Sequence, residues 1–309
     1  MKRSFILIMA LAVILVAQQV TLPAEPQPTE PVTPTQPVIP EVPITPITIP
    51  DEFHVVNPVE NGEVDWSDQV ITANGMSVID TVNFPNRAQA YAMAVRGATV
   101  DAQRNLLEIV KGVRVVSETR VVDMMTESDY IYTRVDGVVK GAKPVGEPYE
   151  HNGLVEVTLQ MSIYDSAGLA PLLYGGLEFP APVDVEDVPD EVTQALMGTG
   201  GIVIDASEAE TEPRIFPRFV DEDGNVIFDP GSYYLPSDPR WAQMLRYVQS
   251  KGPAVLKSLG VSEDAWIIKV LGTKDGDLVI GEENKKKLQW LQDGLKIFLK
   301  LGKVVLMAI

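Results

Sequence analysis

The sequence predicts an α+β protein of two domains, and three observations predict it. A long alanine-rich helical stretch near residues 86–110 lies among runs of strand-like residues. A section at 166–200 holds six acids, no base and four prolines, as an interdomain connector does. A second series of strand-like runs and one leucine-striped helix follows from residue 201 to the end. The expected first domain, 51–165, is a β-α-β-β-β unit with one long helix packed on an antiparallel sheet. The second, 201–309, is a smaller mixed α+β domain.

The elements follow in order. Lys2 and Arg3 precede an apolar run from Phe5 to Ala17, the order of charges and hydrophobes in a secretory signal. That run falls short of the roughly 20 residues that span a bilayer as a helix. Residues 1–24 are therefore expected as a signal peptide or a retained anchor, and the body as exported to the periplasm or cell envelope. Residues 25–50 place prolines at 28, 31, 34, 37, 40, 43 and 46. Polyproline II has three residues per turn, so these prolines line one edge of an extended spacer. A docking strip for a partner that reads extended proline segments is the alternative.

In the first domain a short strand is expected at Asp68–Ala73, closed by Asn74-Gly75. The helix that follows has Ala88, Ala92, Val95, Ala98, Ala102, Leu106 and Ile109 as its expected buried face, and Gly112 as its stop. Val113–Asp123, Tyr130–Lys140 and Leu154–Tyr164 read as strands, with a turn at Asn152-Gly153. In the second domain strands are expected at Ile202–Ala206, Arg214–Val220, Asn225–Phe228, Ala265–Leu271 and Asp277–Ile280. Helices are expected at Pro239–Ser250 and Glu282–Leu299, with Gly302 ending the second. Val304–Ile309 is an apolar run of the kind that forms a central strand.

Composition excludes several functions. Without cysteine there is no disulfide scaffold, no thiolate metal site, no cysteine nucleophile and no acylated cysteine to anchor a lipoprotein. A formal charge of −18 repels a phosphate backbone, so no nucleic-acid partner is expected.

Motifs add little chemistry. Asp221-x-Asp223-Gly224-Asn225 has the alternating oxygens of a calcium loop, but position twelve is Ser232, which supplies no bidentate carboxylate, so a hairpin turn is expected. His54 and His151 have no neighbouring nucleophile or metal motif and are expected to be solvated. Lys285-Lys286-Lys287, and Arg87, Arg96 and Arg104, read as solvated helix faces. Gly272-Thr273-Lys274 is too short a fragment for a phosphate cradle. Trp241, Trp266 and Trp290 read as core, with sugar stacking as the alternative. No residue is assigned a catalytic, cofactor-binding or metal role, and no enzyme or cofactor is expected.

Residues 98–145 carry a further pattern: Asp101-Ala102, Leu106, Ile109, Gly112-Val113, Ser117, Thr119 and Gly141-Ala142, with a closing strand from Gly153 to Ile163. This stretch resembles a bacterial envelope domain family, that of the twenty-kilodalton outer-membrane lipoprotein, the flagellar outer-membrane protein P and the N-terminal domain of flagellar assembly protein T. The resemblance spans about residues 68–165. It implies a non-enzymatic envelope component; relatives build rings around the flagellar motor or sit on the outer membrane. The chain departs from the lipoprotein members in lacking their cysteine. The expected role is structural or assembly, through self-association at exposed strand edges or contact with envelope or flagellar proteins. Membrane anchoring through the N-terminal apolar segment stays open. The alternative is a periplasmic module binding a small molecule or glycan in the interdomain cleft.

Overall fold

The computed structural model describes residues 39–43 and 47–309. The expected signal or anchor at 1–24 and most of the expected spacer lie outside the described residues. The architecture is α+β, with a long helix on an antiparallel sheet followed by a mixed sheet with helices on its faces.

Strands β1 (Val56–Val59), β2 (Gly62–Asp65) and β3 (Val70–Val78) form an antiparallel meander. β3 runs straight through Asn74-Gly75, where the sequence suggested a turn. Asn74 serves packing: its Oδ1 accepts from Thr158 Oγ1 and its carbonyl accepts from Asn105 Nδ2, both at 2.7 Å. A Cβ on Gly75 would lie 2.0 Å from the Ala102 nitrogen, so this glycine lets the helix touch the sheet.

That helix, α1 (Arg87–Gly112), starts at Asn86, whose side chain accepts from the N–H groups of Ala88 and Gln89. Its buried face is Ala90, Ala94, Ala98, Ala102, Leu106, Ile109 and Val110. The expected Ala88 and Ala92 are exposed instead. Two alanine series with the same spacing compete along the first turns, and alanine is too small to mark which one is apolar.

A short hairpin follows, β4 (Arg114–Val116) and β5 (Thr119–Arg120), turning at Ser117 with φ 49°. The rest of the expected strand region is helical: α2 (Val121–Glu127) and α3 (Asp129–Lys140) replace the end of Val113–Asp123 and all of Tyr130–Lys140. Ile131, Val135 and Val139 are buried at a spacing of four while Tyr130 and Tyr132 are exposed, the period of a helix. Ser128 caps α3 by accepting from the Ile131 N–H at 3.3 Å.

Strands β6 (Lys143–Pro144), β7 (Tyr149–His151) and β8 (Leu154–Ser162) complete the sheet, ordered β1-β2-β3-β8 with β6 and β7 end to end along the far edge of β8. Asn152 and Gly153 form the expected turn, both with positive φ. The β-α-β-β-β expectation is therefore corrected to three strands, a helix, a hairpin, two helices and three strands.

The acidic section at 166–200 is folded rather than an open connector. It carries α4 (Leu169–Tyr174) and α5 (Asp190–Gly198), and it buries Leu169, Leu172, Leu173 and Leu196. Lys303 donates to the Leu196, Met197 and Thr199 carbonyls, closing the C-terminal end of α5.

The second half contains β9 (Ile202–Asp205), β10 (Phe219–Val220), β11 (Val226–Phe228), α6 (Arg240–Met244), β12 (Leu245–Val248), α7 (Pro253–Ser258), β13 (Trp266–Lys274), β14 (Asp277–Ile280), α8 (Glu282–Lys300) and β15 (Val305–Ala308). Its sheet order is β11-β10-β14-β13-β9-β15-β12, with β13, β9, β15 and β12 mutually parallel. β15 lies between β9 and β12, the central place expected for it. The expected helix at Pro239–Ser250 stops at Met244, because the fully buried run Leu245–Val248 pairs with β15. The expected strand Arg214–Val220 shrinks to two residues.

α8 bends at Gly294, where a Cβ would lie 2.3 Å from Leu196 of α5. On the other sheet face, Val203, Val248, Leu306 and Ala308 pack with α7 and with Ile49. The last residues of the proline-rich run thus belong to the fold. Residues Ile39–Ile309 form one compact unit, and one apolar core runs from Val55 to Met307. Among the described residues, no helix is long and apolar enough to cross a membrane.

Candidate functional site: the seam between the halves

The tight turn between β2 and β3 builds the seam. Asp65 Oδ1 accepts from the N–H groups of Ser67 (2.9 Å) and Asp68 (2.8 Å), and Gln69 takes φ 61°. The turn projects two polar side chains onto the open edge of β12. Ser67 Oγ donates to the Tyr247 carbonyl at 2.7 Å and accepts the Val55 N–H at 2.8 Å. Gln69 Nε2 donates to the Ala242 carbonyl at 2.7 Å and the Leu245 carbonyl at 3.3 Å. In return Arg246 donates to the Ser67 carbonyl at 2.6 Å, and the Gln249 N–H donates to the Phe53 carbonyl at 2.9 Å. An edge strand that would otherwise present free backbone groups is covered.

A second set of bonds joins β4 to the segment before β10. The Ile215 and Phe216 N–H groups donate to the Arg114 and Val115 carbonyls at 3.1 and 2.8 Å. Tyr164 donates to the Ile215 carbonyl at 2.8 Å, and Tyr247 accepts from the Arg214 N–H while donating to its carbonyl. Burial pushes the Tyr164 hydroxyl well above the usual phenol range and the Tyr247 hydroxyl up to about 12. Between these bonds lie Tyr164, Tyr174, Phe179, Phe216, Tyr234 and Trp241, each ring within 6 Å of another. Aromatic rings fill the boundary where the sequence suggested an open cleft.

His54 sits beside this seam and is not solvated: its side chain is 9% exposed. Nδ1 faces Asp65 Oδ2 at 2.7 Å and Nε2 donates to the Ile49 carbonyl at 2.9 Å. A carbonyl only accepts, so Nε2 carries a proton, and an ionised Asp65 favours a second proton on Nδ1. Burial lowers the imidazole pKa, but the Ile49 carbonyl and Asp65 outweigh it and the net shift is upward. His54, Asp65 and Asp68 also bring possible metal-ligand atoms within 4.8 Å of one another. A metal bound at Nδ1 there would take the place of the proton shared with Asp65 and leave the Nε2 bond to Ile49 in place. His151 is half-buried, with its ring stacked on Tyr149 at 5.2 Å.

The other flagged residues fall as follows. Asp221–Asn225 forms the expected hairpin turn. Asp221 accepts from the Asn225 N–H at 2.8 Å and from Lys285 Nζ at 2.9 Å; Lys285 and these bonds hold its carboxyl well below the usual range. Lys274 donates to the Glu222 and Asp223 carbonyls, and Lys285 holds the Asp221 carboxylate that would be the first calcium ligand. Lys286 lies over the Trp290 ring at 4.5 Å and reaches Glu191. Arg87 pairs with Glu150, while Arg96 and Arg104 are exposed. Trp241 is 1% exposed and donates to the Pro230 carbonyl, and Trp266 pairs with Trp290, so the three tryptophans share no one platform. Gly272–Lys274 lies within β13.

Sequence reading missed Ser67, Gln69, Arg214 and Arg246. The one available signal was Arg246 inside the apolar run Leu245–Val248, a charge that burial forces to find partners.

Comparison with known proteins adds one match. Residues 201–308 fit the family model described as Treponema pallidum Tp0624, second domain, a stretch that runs from β9 through β15. No curated protein matches the chain.

Proposed function

We propose that the protein is a non-enzymatic, exported component of the bacterial cell envelope that serves as a structural or assembly part. The seam carries this reading. A binding protein that closes on its ligand needs lobes that move apart, whereas here rings and backbone bonds join the halves into one unit. The basic-then-apolar N-terminus and the proline-rich run support export and spacing, and the resemblance of residues 68–165 supports an envelope setting. A flagellar setting rests on that resemblance alone.

Self-association through edges of the first sheet is disfavoured by its own residues. One edge strand carries Pro58, and the other edge is split into the two-residue Lys143-Pro144 and the three-residue Tyr149–His151, short or proline-bearing pieces that blunt edge pairing. Contacts with partners are assigned to faces, where Met76 and Val78 of β3 and Tyr149 of β7 stand exposed on the two strands that flank β8. Fractionation of cells producing the full chain, with light scattering of the purified protein, tests the proposal. Envelope location together with a defined oligomer or envelope complex is expected. A cytoplasmic monomer that co-purifies with nothing contradicts it.

The small-molecule alternative keeps one supporting observation. A cavity of about 760 Å³ lies between the 182–186 segment and the second half, lined by Tyr174, Tyr233, Asp184, Arg240 and Lys296. Its size is that of a ligand pocket. Saturable binding of muropeptides by the full chain would favour that reading.

A further inference from the structure

A smaller cavity, about 280 Å³, opens on the seam between β1, β2, the C-terminal end of α1 and residues 212–213. Its walls include Val64 and Ile109, and its polar lining holds two cations, Arg114 and Arg120, against one carboxylate, Glu212. In a chain of formal charge −18, a local excess of positive charge is unusual.

Glu212 satisfies the arginines poorly. Arg114 Nε and Nη2 both lie 3.2 Å from its Oε2, and Arg120 Nη2 lies 3.1 Å from the same atom. Charge-assisted bonds of this type are ordinarily about 2.7–2.9 Å long. All three contacts fall on one oxygen, so neither guanidinium engages the carboxylate in its two-pronged geometry. Glu212 itself is more than half exposed, so its carboxylate competes with water for this place. A neighbouring indole supplies a reporter for this place. Trp66 lines the cavity, is 3% exposed, and its indole N–H is buried without an acceptor among the described residues.

Two guanidinium groups, apolar walls and one ill-fitting carboxylate describe a receptor for an anion. We propose that this cavity binds a small organic carboxylate with an apolar tail, and that Glu212 stands in for it when the cavity is free. The incoming carboxylate displaces Glu212 toward solvent and takes both arginines, while the tail lies against Val64 and Ile109. The site differs from the tyrosine-lined cavity and does not depend on an envelope role.

The test uses the full chain and benzoate, which has a carboxylate head and an apolar ring. The indole N–H resonance of Trp66, assigned with the Trp66→Phe variant, is followed by NMR during titration. Both arginines also hold a backbone carbonyl, Arg120 that of Gly112 at 2.6 Å and Arg114 the more distant one of Ser117 at 3.2 Å, so the variants are Arg114→Gln and Glu212→Gln. The proposal expects a saturable shift of that resonance, lost in Arg114→Gln and reached at several-fold lower benzoate in Glu212→Gln. Benzamide, which has no charge, should produce none. No saturable shift in either the unmodified chain or Glu212→Gln overturns the proposal. So does a shift that persists unchanged in Arg114→Gln or appears equally with benzamide.

Discussion

His54 bridges the Ile49 carbonyl and Asp65 of the β2–β3 turn, one hydrogen bond to each, with a proton on both ring nitrogens. The charged groups around it are Asp65, Asp68 at 3.8 Å and Asp51 at 4.0 Å, with Arg246 beyond, lying close enough to both turn carboxylates to feel their charge. Its pKa in the folded chain is raised above the ordinary value of 6.5. A raised pKa contributes stability that is fully present below the unfolded value and lost as pH climbs through the folded one. Hydrogen exchange of residues 47–55, corrected for intrinsic rates, should therefore quicken as pH rises above the ordinary imidazole value of 6.5. In His54→Gln the pH dependence should vanish; an unchanged profile would show that the ring does not hold this segment.

Ser67 serves two buried backbone groups from opposite halves, the Val55 N–H and the Tyr247 carbonyl. Ser67→Ala leaves both unmet and should cost about 1–3 kcal/mol in denaturant unfolding. Neither role was legible. Histidine without a motif is most often solvated, and a serine in a polar turn gives no sign of what lies across from it. Partners of His54 and Ser67 come from segments 5 to 180 residues away.

At the scale of elements, legibility followed contrast between side chains. β8, β14, β15, α8 and the turn at Asn152-Gly153 stand where the sequence placed them, because each pairs a clear period with a clear stop. α3 was misread because its valines and tyrosines favour strands, although its buried residues keep a spacing of four. β12 was misread because a helical start at Arg240 runs without punctuation into a strand that only β15 calls for. α1 was found but set in the wrong phase at its first turns. Its contact with β3 rests on Gly75, where an added methyl would enter the Ala98 and Ala102 backbone. Gly75→Ala should destabilise the fold by about 1–3 kcal/mol or more, read as a lower denaturation midpoint. Gly112→Ala is the control, since a Cβ there meets nothing within 4 Å.

For the whole molecule, the sequence marked two series of elements with an acidic section between them, and the structure brings these elements into one unit. Charge and proline content made residues 166–200 look open, but the leucines of α4 and α5 were the stronger term. The seam was illegible because it is made of single residues scattered along both halves, each ordinary in its own neighbourhood. The joining of the halves is the central claim, and it fixes how the chain unfolds. Scanning calorimetry of the full chain tests it most directly. One transition, with calorimetric and van't Hoff enthalpies equal, is the predicted result. Two separable transitions, the second retained when Ser67→Ala lowers the first, would contradict it.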